Sequence, residues 1–178
     1  MGSATLFHLA RRGLRVLGLE RFDLVHEHGS SHGLTRIIRL AYWEHPTYVA
    51  LLRRAYELWR ELESLAGERL LHITGSVDAG PAGGMVFGGA LRSSELHALP
   101  HEVLNGAELH ERFPGYRLPR NIQCLYQPEG GFLLPERCNA AHAAQAQRHG
   151  AEVRCREPVL EWGAGGGRAW VRTGGGRY

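Results

Sequence analysis

No apolar run in the chain approaches the roughly 20 residues that a membrane-spanning helix needs. The arginines are scattered rather than gathered into a basic tract, so the net charge of +3 and pI near 9.0 do not amount to a nucleic-acid footprint. The three cysteines stand at long spacings with no CxxC pair and no secretory leader before them, which predicts reduced thiols in an intracellular protein. There is no GxSxG elbow, no Ser/His/Asp order and no internal repeat. His26, His28 and His32 form an HxHxxxH pattern, but no cysteine or acid stands at supporting spacing in a definite element. The pattern therefore predicts exposed loop histidines at 26 and 28 rather than a metal site. These absences predict a soluble, cytoplasmic protein without membrane, nucleic-acid or metal partners. At 178 residues it is long enough for a core and short for a two-domain enzyme.

What is present begins at the N-terminus. "GSATLFHLARRG" carries Ala4, Leu6, Phe7, Leu9 and Ala10 on a broad helical face and ends at Gly13. "LRVLGLE" follows as a short apolar run closed by an acid, as a buried parallel strand ends. Helix, glycine, strand and acid form the second half of a βαβ unit. In a dinucleotide-binding unit the acid lies about 20 residues beyond the glycine turn and accepts hydrogen bonds from ribose hydroxyls. Glu20 fits that place and Gly2 fits the last glycine of the fingerprint, whereas the first strand and most of the glycine turn are absent. The local pattern is equally compatible with a free amphipathic helix and a strand that merely ends in Glu20.

Further along, "HPTYVALLRRAYELWRELESLAG" reads as a long helix with Tyr56 and Trp59 as core anchors. "LLHITGSVDAG" reads as strand and turn, and "GPAGG" as loop. Short helices are predicted around "RSSELHAL" and over "NGAELHERFP", the latter capped by Asn105 and stopped by Pro114. "IQCLYQPEGGFLLP" reads as a strand, a turn and an extended piece. "PERCNAAHAAQAQRHGAEVR" reads as a helix with a buried Cys138, running past Gly150 into a strand that returns to a parallel sheet. The last stretch, "GAGGGRAWVRTGGGRY", predicts one short strand between loose turns.

The segment "GSSHGLTRIIRLAY" places Arg36 and Arg39 after a small, polar, histidine-containing turn. Arginine binds carboxylates through a planar fork and keeps its charge at any working pH. Two such residues after a glycine-serine turn suggest a site for anions. On residue types alone, they also read as solvated arginines of a surface turn.

The ordered series "GSATLFHLARRG", "VLGLERF", "GSSHGLTRIIRLAY", "YELWRELE", "TGSV", "RFPGYRLP", "PEGGFLLPERC" and "RHGAEV" resembles the N-terminal half of the sarcosine oxidase family. These are FAD-dependent amine oxidases that include N-methyltryptophan and pipecolate oxidases. The resemblance runs from Gly2 to about Val159 and implies an α/β fold: a partial Rossmann-like FAD-binding domain of the glutathione-reductase type with the start of a substrate-binding α+β domain, truncated at both ends. Residues 1–70 and 136–178 are expected to belong to the FAD-binding domain and 71–135 to the substrate domain.

For the cofactor, the resemblance implies Gly2, Glu20, Arg21, Ser30, Ser31, Thr35, Arg36 and Val159. Glu20 would hold the ribose, Ser30, Ser31, Thr35 and Arg36 would lie along the pyrophosphate and isoalloxazine ring, and Val159 would meet adenine through its backbone. His32, Arg36 and Arg39 are the implied catalytic set, with His32 near the flavin and Arg39 gripping a substrate carboxylate. The implied partners are an amino-acid-like amine and dioxygen, and none of Cys124, Cys138 and Cys155 matches the cysteine that carries covalent flavin in sarcosine oxidases. The chain as written is expected to bind FAD poorly and not to turn over. A nicotinamide-dependent Rossmann dehydrogenase and a non-catalytic remnant with at most a binding role are the alternatives.

Overall fold

In a computed structural model describing residues 1–178, the first half of the chain forms α1 (Gly2–Arg11), β1 (Leu17–Leu19), β2 (Arg36–Ile38), α2 (Tyr48–Ala66), β3 (Leu71–Ile73), β4 (Ser76–Pro81) and α3 (Met85–Leu96). The second half forms β5 (Glu102–Asn105), α4 (Gly106–Arg112), β6 (Ile122–Gln127), β7 (Gly131–Leu133), α5 (Pro135–Arg148), β8 (Glu152–Arg154), β9 (Glu161–Gly165), β10 (Arg168–Thr173) and β11 (Gly176–Arg177). Contacts divide these into two compact units. One comprises Met1–Thr35, Leu65–Gly67 and Leu134–Tyr178, the other Arg36–Ser64 and Glu68–Leu133. Residues 36–64, grouped with the first block in the sequence reading, cluster in the second unit.

In the first unit, helical spacing turns Leu6, Phe7 and Ala10 of α1 inward. They meet α5, whose buried face carries Cys138, Ala141, His142, Gln145 and Ala146. Alanine on this face lets two helices approach without loss of helix propensity. Pro135 and Glu136 start α5 and Arg148 ends it, in the order the helix dipole favours. Strands β1 and β8 pair in parallel, Leu17 with Glu152 and Leu19 with Arg154, as expected of a helix-linked crossover. The pairing continues past β1, because Glu20 N donates to Arg154 O and Glu157 N donates to Glu20 O, each at 2.9 Å. Glu20 is therefore held at the end of a strand by its own backbone.

The carboxyl-terminal stretch contains more strand than its sequence suggests. Strands β9, β10 and β11 form an antiparallel meander instead of one strand between loose turns. Gly166 and Gly167, with φ of +58° and +75°, make the tight turn between β9 and β10, a conformation that glycine adopts without steric cost.

The second unit holds two three-stranded sheets, ordered β2-β7-β3 and β4-β6-β5. Its core gathers Leu40, Ala41, Val49, Phe87, Ala90, Leu99 and Leu125, with Trp43, Leu52 and Tyr56 packed against it. Tyr56 donates its hydroxyl to Glu129 O at 2.8 Å, and burial pushes its pKa up to about 12. Helix α4 begins with the capping box anticipated at Asn105: its side chain accepts from Ala107 N and Glu108 N, while Glu108 reaches back to Asn105 N. Helix α3 begins at Met85, seven residues before the predicted "RSSELHAL", and β5 is a short edge strand that the sequence reading did not anticipate. Cys124 and Cys138 are buried thiols and Cys155 is an exposed one. No helix is long and apolar enough to cross a membrane.

Candidate functional site

A cleft of about 710 Å³ opens in the first unit beside the start of α1. Met1, Gly2 and Ser3 line it from the helix end, Leu17 to Glu20 from the strand, and Gly29, Ser30 and Ser31 from the loop that follows. No side chain caps the helix start, so its first amides keep their donor capacity and the helix dipole favours negative charge there. Four of the sequence-predicted cofactor residues, Gly2, Glu20, Ser30 and Ser31, thus share one cavity.

Glu20 is fixed through one oxygen. Oε1 accepts from Phe22 N at 2.9 Å and lies 3.3 Å from His26 Nε2. The His26 side chain is 19% exposed, which corrects the expectation of a plainly exposed loop histidine. The Phe22 ring packs at a tilt against both His26 and His28, and His28 N donates to His26 Nδ1 at 3.1 Å. No group of three metal-ligating side chains forms around them. Gly2 leaves open space around it, since an added Cβ would meet nothing within 4 Å. Close helix–strand packing falls instead at Gly18, whose Cβ would come within 3.1 Å of Leu6 Cδ2.

The remaining predicted residues do not line this cavity. The Arg21 guanidinium covers the Phe22 ring at 5.2 Å. His32 Nδ1 makes a short hydrogen bond with Gly29 O, and Gly33 N donates to Glu136 Oε1 at 3.1 Å, so the serine-histidine loop is tied to itself and to α5. Thr35 and Arg36 are exposed, Arg36 opening β2. Val159 is 45% exposed after β8 and does not line the cleft.

Arg39 stands in the second unit, in a setting unlike that of a surface arginine. Its side chain is 12% exposed and its Nε lies 3.3 Å from Asp78 Oδ1, an ion pair whose angle falls outside that of a hydrogen bond. The guanidinium stacks on the Tyr42 ring at 4.8 Å. Burial pushes the Asp78 carboxyl above the usual carboxylate range despite the pull of Arg39. Glu44 adds to the rise, and the hydrogen bond from Gln127 opposes it. Asp78 and Gln127 were not among the residues predicted from sequence. The available signal was a lone acid inside the short "SVDAG" strand.

The profile of the family described as FAD dependent oxidoreductase matches residues 1–178. The chain belongs to the FAD-dependent oxidoreductase family. It is 44% identical to the monomeric sarcosine oxidase of Streptomyces avermitilis over 162 residues, covering 91% of this chain and 42% of that protein. It is 35% identical over 136 residues to the N-methyl-L-tryptophan oxidase of Yersinia pestis, covering 76% of this chain and 37% of that one. The chain spans less than half the length of these relatives. Among solved structures, the open form of NikD, an amino acid oxidase essential for nikkomycin biosynthesis, superposes with a TM-score of 0.87 at 32% identity, covering 99% of this chain and 46% of NikD. Glycine oxidase from Geobacillus kaustophilus, at 21% identity and a TM-score of 0.78, shares the fold. The mixed α/β architecture with its parallel β1–β8 pair is accordingly a partial Rossmann-like FAD-domain fold, and the family match sets aside the nicotinamide alternative.

Proposed function

We propose that the chain is the cofactor-holding and carboxylate-binding half of an FAD-dependent oxidase of secondary amines or N-methyl amino acids. The reading rests on one observation above the others: an uncapped helix start, a strand-end carboxylate and a serine loop line the same cleft. These residues fit the ADP portion of FAD. The α1 amides at Gly2 and Ser3 suit pyrophosphate oxygens. Glu20, whose protein contacts both use Oε1, keeps Oε2 for ribose hydroxyls. Arg21, Ser30, Ser31, Thr35 and Val159 complete the proposed cofactor contacts. His32 and Arg36 are assigned to the flavin ring, where a fixed cation would stabilise negative charge.

Bound FAD would supply the redox step, taking a hydride from the carbon beside the amine and passing electrons to dioxygen, with the resulting imine left to hydrolyse. The chain's own part is to hold charge and orientation. Arg39 binds the carboxylate of an amino-acid substrate through its Nη end, because Nε faces Asp78. The first unit is assigned the cofactor role and the Arg39 region of the second unit the substrate role.

Flavin fluorescence quenching on titration with the chain tests this reading. FAD should bind more tightly than FMN, because the cleft residues address the ADP portion that FMN lacks. Glu20→Ala should weaken FAD by about 10- to 100-fold, the range for losing hydrogen bonds to a charged group. Equal affinity for FAD and FMN, or an unchanged Glu20→Ala, would contradict it.

A further inference from the structure

Arg39 belongs to a closed chain of contacts that no surface role requires. Asp78 sits at its Nε edge at 3.3 Å, and Gln127 Nε2 donates to Asp78 Oδ2 at 3.0 Å. Gln127 Oε1 in turn accepts from Ala41 N at 2.8 Å, two residues beyond Arg39. The register of β4 on β6 explains why these groups meet. Ser76 lies opposite Gln127, so Asp78, two residues on, is Gln127's diagonal neighbour on the same sheet face. The guanidinium carbon stands over the Tyr42 ring, 4.8 Å from its centroid. Edge, face and backbone are each set by a different contact.

A buried ion pair is costly to desolvate and is a weak source of stability. This one contrasts with exposed pairs such as Arg54–Glu57 and Arg156–Asp23. Its geometric effect is specific, however. A guanidinium whose Nε edge is occupied offers its two Nη atoms as a fork, the arrangement that matches a carboxylate in bidentate fashion.

We infer that Asp78 is a positioning residue for amino-acid recognition: braced by Gln127, it sets the plane in which Arg39 presents its Nη fork to the substrate carboxylate. This rests on the reading of Arg39 as the carboxylate-binding arginine. It assigns Asp78 no contact with substrate; burial, with Glu44, raises the proton affinity of its carboxyl, while Arg39 and the hydrogen bond from Gln127 oppose the rise.

The test is nuclear magnetic resonance of the full 178-residue chain labelled with 15N-arginine, titrated with N-methylglycine and, as an uncharged match, its amide. In the unaltered chain the Arg39 Nε–H signal should be slow to exchange and should move with N-methylglycine but not with the amide. Asp78→Ala should speed that exchange and weaken N-methylglycine by about tenfold while leaving the amide unchanged. Gln127→Ala should change both in the same direction by less. Asp78→Asn keeps the shape and decides the matter if the alanine variant does not fold; loss of Nε–H protection with weaker N-methylglycine binding is expected. Unaltered exchange and affinity in the Asp78 variants, with binding lost in Arg39→Ala, would overturn the positioning role and leave the Arg39 reading standing. Binding that survives in Arg39→Ala, or is absent from the unaltered chain, would overturn both.

Discussion

Lowering the pH from 7 to 4 should loosen the α1–α5 pair by about 3 kcal/mol, and His142→Leu should remove that share of the pH dependence. His142 is 6% exposed on α5, with Ser3 Oγ 3.4 Å from its Nδ1 and the Phe7 ring centroid 6.0 Å away. Burial lowers its pKa from 6.5 to about 4, and the nearby His8 and the amino terminus add to the shift. A histidine whose folded pKa is depressed binds its proton more readily when unfolded. Its contribution to stability is therefore complete above pH 6.5, declines below that and is gone below about pH 4. Amide exchange across α1 and α5 at a series of pH values reads this directly. An identical pH profile in His142→Leu would contradict the assignment.

Gly131→Ala should be comparably severe in the other unit. Gly131 is buried in β7, the middle strand of β2-β7-β3, and a Cβ there would lie 2.0 Å from His72 O and 3.0 Å from Ile73 Cα. The obstruction is backbone of the neighbouring strand rather than the end of a side chain, so relief requires β3 and β7 to separate and lose ladder bonds. We expect a cost of about 3 kcal/mol, the upper end for overpacking. Amide protection should fall across β2, β3 and β7 and stay unchanged in α1 and α5. Retained protection in β3 would show that the strands absorb the methyl group without separating.

These two sites illustrate which parts of the molecule were legible in sequence. Helices with clear periodicity and end signals were read well: α1 before Gly13, α2 before Gly67, α4 behind Asn105 and α5 behind Pro135. The first turns of α3 were hidden by Gly88 and Gly89, which lower helix propensity. Tertiary packing explains Gly89, because a Cβ at that position would meet Trp43 O at 2.2 Å. The meander of β9 to β11 was hidden for a similar reason. Gly163 and Gly165 interrupt the strand alternation of β9, and Gly163 makes room for the Trp170 ring.

The candidate site divides along the same line. Glu20 and the α1 start were legible because their roles depend on local order of helix, strand and acid. The Arg36 and Arg39 pair stood out as residue types, but their surroundings did not: Arg36 is exposed, whereas Arg39 is enclosed by Tyr42 and Asp78. Asp78 and Gln127 are 49 residues apart and meet only through the β4–β6 register, which no local pattern announces. The Glu20–His26 pair likewise needed the loop's course, not its composition.

The most direct measurement is the visible absorption spectrum of the purified 178-residue chain after incubation with FAD and removal of free cofactor. A retained flavin band, diminished in Glu20→Ala, is the result expected if the cleft beside α1 is the cofactor site. A colourless chain, or a band of equal strength in Glu20→Ala, would contradict that assignment.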